Sequence, residues 1–226
     1  MYMRPMFLLF LAILTHTLPA QNKKTTFYDS TGQVTAYEAH WAQAVTGRYK
    51  SVYNKPENIR TLVPMTKAEF DAEVAKTDKR ICRRDKLGTE FPEFDVLDIN
   101  GNRLTRGALQ GKVVVINFWF IGCAPCEMER PALNELQKFY DGNENVVFIA
   151  FAKNSKEQLD KFLHDHPILY TVVPTDKDYI KNVFELNSYP VNIVVGKDGT
   201  YFFNSIASGI GISTILKREI DKALKE

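Results

Sequence analysis

A chain of 226 residues, 45% of them hydrophobic, is long enough for one α/β domain with a real core and an extension beside it. With 29 Lys and Arg against 27 Asp and Glu, the formal charge is +2, which gives no electrostatic case for a nucleic-acid partner. The 3 cysteines and 4 histidines provide no second pair with metal-ligand spacing, so a four-ligand zinc site is not predicted.

The chain opens on a targeting pattern. Arg4 precedes the apolar run Met6 to Leu14, which is short for a bilayer span, and Leu18-Pro19-Ala20 reads as a cleavage site before Gln21. Residues 1–20 are therefore predicted to be a signal peptide. The protein is expected to be exported to the periplasm or another extracytoplasmic space, soluble or held by an uncleaved signal anchor. Residues 21–87 read as an N-terminal extension and linker. Thr35-Ala36-Tyr37-Glu38 and Thr66-Lys67-Ala68-Glu69 fit the capping-box pattern, so each should start a short helix. Tyr37, Trp41, Ala44 and Val45 share one helical face, as do Phe70 and Val74, which predicts packing onto the following domain. Tyr49 to Tyr53 reads as a short strand, and the charged stretch Lys79 to Lys86 as the linker. Cys82 lies within that stretch. Its cationic neighbours would lower the thiol pKa and couple it to redox chemistry, whereas burial would leave it inert.

From Phe91 onward strand and helix signals alternate, implying a sheet covered by helices. Phe94 to Leu97 is a predicted strand ending at the Asn100-Gly101 turn. Val113 to Trp119 is a buried strand and Ala124 to Tyr140 a helix. Val146 to Ala152 is a strand, Lys156 to His164 a helix, Leu169 to Val173 an extended stretch and Asp176 to Phe184 a short helix. Val191 to Val195 and Tyr201 to Ile206 flank the hairpin signal Gly196-Lys197-Asp198-Gly199-Thr200, and Ile212 to Leu224 closes the chain as an amphipathic helix. Gly209-Ile210-Gly211 lacks the third glycine and the further βαβ unit of a phosphate-binding loop.

The chemistry is concentrated in Cys123-Ala124-Pro125-Cys126, set between the apolar strand and the helix. A cysteine at a helix N-terminus sits among unpaired N–H groups and the positive end of the dipole, which favours its thiolate. Cys123 is thus the predicted attacking thiol. Cys126, one turn on, is placed to resolve a mixed disulfide formed by Cys123. His164 and His166, near the end of a predicted helix, read as solvated surface residues.

These features resemble the thioredoxin superfamily, and within it the exported TlpA/ResA-like thiol-disulfide oxidoreductases with their AhpC/TSA-redoxin-like domain. The residues that carry the resemblance are Phe91-Pro92-Glu93-Phe94, Asp98-Ile99-Asn100-Gly101, the run Leu109 to Trp119, and the two cysteines. Pro131 and Tyr189-Pro190 complete it. It implies a thioredoxin fold over residues 88–226, with a central mixed sheet flanked by helices. It also implies a cis-Pro190 which, with Tyr189 and Trp119, receives the substrate polypeptide. Two residues depart from thioredoxin itself: Gly122 replaces a tryptophan, and Asn117 stands where a buried aspartate would be. In this branch a glutamate three residues after the second cysteine sits near the pair, which assigns Glu129 a proton-shuttling role; spacing alone equally allows a solvent-facing side chain. The implied partners are protein disulfide substrates and a membrane thiol-disulfide electron donor, with no cofactor and no metal. The implied task is reduction, with cytochrome c maturation the best-known case. A thiol peroxidase of redoxin type and a non-catalytic copper- or partner-binding module are the alternatives. The Pro-x-x-x-Thr/Ser-x-x pattern that precedes a peroxidatic cysteine is absent before Cys123, where Ile116 stands in the place of Pro.

Overall fold

The computed structural model describes residues 24–226. The predicted signal peptide lies outside them. Among the described residues no helix is long and apolar enough to cross a membrane.

The extension folds into a small sheet and two helices. Its elements are β1 (Thr26–Tyr28), β2 (Val34–Thr35), α1 (Tyr37–Val45), β3 (Tyr49–Asn54), β4 (Ile59–Pro64) and α2 (Lys67–Ile81), and the strands form one sheet in the order β2-β1-β4-β3. The second capping box forms: the Thr66 hydroxyl accepts from the Glu69 N–H, and the Glu69 carboxylate accepts from the Thr66 N–H at 2.9 Å. The first does not. Thr35 is committed to β2 opposite Phe27, so Ala36 caps α1 without a side-chain hydrogen bond. Buried His40 instead ties α1 to the sheet, its Nδ1–H donating to the Tyr28 carbonyl at 2.8 Å and its Nε2 lying 2.7 Å from the Ser51 hydroxyl.

The stretch expected as a linker is structured. Lys79 to Ile81 finish α2, and β5 (Cys82–Arg83) pairs as an edge strand with a distant partner near the C-terminus. The remaining elements are β6 (Asp95–Leu97), β7 (Arg103–Thr105), β8 (Val113–Trp119), α3 (Ala124–Phe139), β9 (Val146–Ala152), α4 (Lys156–Asp165), β10 (Thr171–Pro174), α5 (Lys177–Phe184), β11 (Val191–Val195), β12 (Tyr201–Ile206) and α6 (Ile212–Ala223). The main sheet runs β10-β9-β8-β11-β12-β5, with β8, β9 and β10 parallel and the last three antiparallel to their neighbours. β6 and β7 form a separate hairpin around Asn100-Gly101.

Every residue of β8 is buried, as an apolar strand with helices on both faces requires. One face packs on α3, α4 and α6 through Leu133, Leu136, Leu159, Ile215 and Ile220. The other holds an aromatic cluster in which Phe118 stacks on Phe151 and meets Phe184 of α5. Phe91 and Phe94 insert into that cluster, which explains why the Phe-Pro-Glu-Phe segment precedes the sheet. The extension docks on the first face. Val45 and Ile81 enter the core there, and the Gly211 N–H donates to the Val45 carbonyl at 3.2 Å.

Candidate active site

β8 ends at Trp119, the chain turns through Gly122 with φ at 86°, and Cys123 caps α3 with no side-chain hydrogen bond to its first turn. Pro125 in that turn has no N–H, so the Ala124 and Cys126 amides head the helix. Cys123 and Cys126 are joined as a disulfide with Cα atoms 5.3 Å apart, and both are 5% exposed. Pro131 lies inside α3 as expected.

Glu129 points inward. Cys126, Glu129, Leu133 and Leu136 form the buried stripe of α3, which places the carboxyl on the cysteine side of the sheet. Its Oε1 accepts from Asn117 Nδ2 and Asn192 Nδ2, each at 3.1 Å, and Asn117 Nδ2 also donates to Asn192 Oδ1 at 2.9 Å. Asn117 and Asn192 face each other across β8 and β11, so the sheet register builds this cradle. Burial pushes the carboxyl up to about 7, against Asn192, Ser208 and Asn117, which pull it down. Asn117 and Cys126 line one small internal cavity together. A carboxyl that titrates near neutrality beside a resolving thiol can take up its proton and release it.

The Tyr189-Pro190 bond is cis, and Tyr189 packs against the cluster that holds both cysteines. Trp119 shares their buried cluster and lines the small cavity beside Cys126 from within. It is 2% exposed and its ring lies 5.7 Å from Phe162 in the core, so the expectation that it meets substrate is corrected: an inward position on a strand buried on both faces offers a polypeptide nothing. Phe120, the next residue, takes the surface position. Its ring meets Tyr189 edge-on at 5.2 Å, and Lys153 Nζ lies over both rings at 4.1 and 5.0 Å. Phe120 and Lys153 escaped the sequence reading because three separate segments converge here.

Cys82 is a half-buried free thiol. It donates to Asp78 Oδ1 at 2.6 Å, and burial followed by that carboxylate pushes its thiol up to about 12, opposite to what its cationic neighbours in sequence suggested. His164 is exposed beside Asp165, and His166 stacks on Phe162. Gly211 caps α6.

Comparison with known proteins agrees with this geometry. Thioredoxin-like protein YneN of Bacillus subtilis is 28% identical over 61% of this chain and 78% of its own length. Thiol-disulfide oxidoreductase ResA of Geobacillus kaustophilus is 26% identical over 62% and 76%. The crystal structure of a thiol:disulfide interchange protein of the thioredoxin family from Chlorobium tepidum superposes with a TM-score of 0.51 at 19% identity, covering 63% of this chain and 99% of that one. Residues 87–201, from the approach to the aromatic cluster through both cysteines to the start of β12, match the AhpC/TSA family, to which the chain belongs.

Proposed function

We propose that the chain is an exported thiol-disulfide oxidoreductase that reduces disulfides in partner proteins through the Cys123 and Cys126 dithiol. The observation that carries this reading is the pair at the head of α3 with a buried carboxyl of near-neutral pKa on the same helix stripe. In the reduced protein the Cys123 thiolate attacks one sulfur of the substrate disulfide, and the other sulfur leaves as a thiolate. Cys126 then loses its proton to Glu129 and attacks Cys123 Sγ. The intramolecular disulfide forms, and the second substrate sulfur departs. Two electrons pass to the substrate, and a thiol-disulfide donor, proposed to be a membrane protein, must restore the dithiol. Tyr189 and Pro190 supply the edge on which the substrate backbone lies. Cytochrome c maturation, where cysteines must be kept reduced, is the proposed setting by resemblance to the family. Two cysteines already joined to each other favour dithiol exchange over a lone peroxidatic cysteine.

The test is a trapping experiment with dithiobis(nitrobenzoate). Cys126→Ser should retain one nitrothiobenzoate on Cys123, whereas the reduced wild type should release two and retain none. An adduct on Cys82 alone, or no adduct, refutes the assignment of roles.

A further inference from the structure

The N-terminal extension walls a groove that begins at Pro125, between the two cysteines. The groove has a volume of about 440 Å³, within the ~300–1,000 Å³ of ligand clefts. Pro125 and Met128 of α3 form its floor, Trp41, Thr77 and Arg80 of the extension one wall, and the 207–210 loop the other. That loop is fixed at both ends of the site. The Ala207 N–H donates to the Pro190 carbonyl at 2.9 Å, and Arg80 Nη2 donates to the Ser208 carbonyl at 2.9 Å. The contact with α2 admits no side chain at Gly209 or Gly211: a Cβ on Gly209 would stand 2.6 Å from Thr77 Cγ2, and one on Gly211 2.5 Å from Val74 Cγ2. The groove is therefore a built continuation of the surface around Pro190 and Pro125.

We infer that this groove seats the polypeptide flanking the disulfide of the protein substrate, so that the extension selects substrates for the redox pair. The proposal rests on the oxidoreductase reading above. The occupant is an extended segment with an apolar side chain on Pro125 and Met128. Lys76 pairs with Glu73 at 3.3 Å, so Arg80 gives the extension wall a net positive charge, which favours a neighbouring carboxylate over an ammonium. Without the extension the floor would end in open solvent, and the site would read only the few residues nearest the cystine.

Two disulfide-linked peptide dimers test this, one with Leu and Asp flanking each cysteine and one with Gly and Ser. Reduced wild type in stoichiometric excess should reduce the first with a second-order rate constant at least tenfold higher, and Ile210→Glu, which places a charge in the groove, should reduce that preference towards one while leaving dithiobis(nitrobenzoate) reduction within twofold. Equal reduction of the two peptides by wild type overturns the groove and leaves the oxidoreductase reading standing. A preference unchanged in a folded Ile210→Glu also overturns it. A wild type that reduces neither peptide nor dithiobis(nitrobenzoate) overturns both. Should Ile210→Glu not fold, the wild-type preference decides.

Discussion

Replacing Glu129 with Gln separates the cost of the buried carboxyl from its use. The glutamine keeps an oxygen for the two donors on Asn117 and Asn192, so the cradle is retained. In the folded protein the carboxyl titrates near 7 instead of its ordinary 4.5, because burial disfavours the charge. The folded state therefore holds a proton that the unfolded state has lost, and wild-type stability falls as pH rises from about 4.5 to 7. At ~1.4 kcal/mol per pH unit, the rise from 4.5 to about 7 corresponds to roughly 3 to 4 kcal/mol. Urea unfolding of the oxidised proteins at pH 4, 6 and 8 should give a Glu129→Gln advantage near zero at pH 4 that grows to roughly 3 to 4 kcal/mol at pH 8. Resolution of the mixed disulfide by Cys126 should slow in the same variant. An advantage independent of pH would refute the argument, because packing changes do not titrate.

Two further outcomes follow from buried groups outside the redox pair. With Cys123 and Cys126 oxidised, iodoacetamide should label Cys82 at pH 8 on the order of a thousandfold more slowly than a free thiol, from the thiolate fraction left by a pKa of about 12, and Asp78→Asn should accelerate labelling. Labelling at the rate of a free thiol would contradict the Asp78 contact. His40 is held below its ordinary pKa by burial first, so the unfolded chain takes up the proton and the extension should loosen as pH falls below about 6.5. Hydrogen exchange should show the α1 amides losing protection between pH 7.5 and 5.5 relative to those of α3, and parallel behaviour of the two helices would refute it.

Much of the site was legible because its signals are local. The apolar strand, the cysteine spacing, Pro131 and the hairpin around Gly199 each specify geometry within a few residues, and Pro190 follows once they are assembled. The inward turn of Glu129 came from the family resemblance, since its spacing alone equally allowed a solvent-facing side chain, and neither reveals Asn192 across the sheet. The burial of Trp119 also has a local signal, since a strand without polar residues on either side except Asn117 leaves no outward face. β5 could not be read: two residues in a charged run carry no periodicity, and their pairing with Asn204 and Ser205 is fixed by tertiary contact. Thr35 shows the same competition, its capping pattern losing to a strand pairing with Phe27.

The most direct test of the account is the redox equilibrium of the purified protein in graded dithiol and disulfide buffers, with alkylation and mass spectrometry scoring each cysteine separately. Cys123 and Cys126 should oxidise and reduce together as one two-electron couple while Cys82 stays a thiol at every potential. Failure of the Cys123-Cys126 bond to form reversibly, or participation of Cys82 in the couple, would contradict the assignment of the active dithiol.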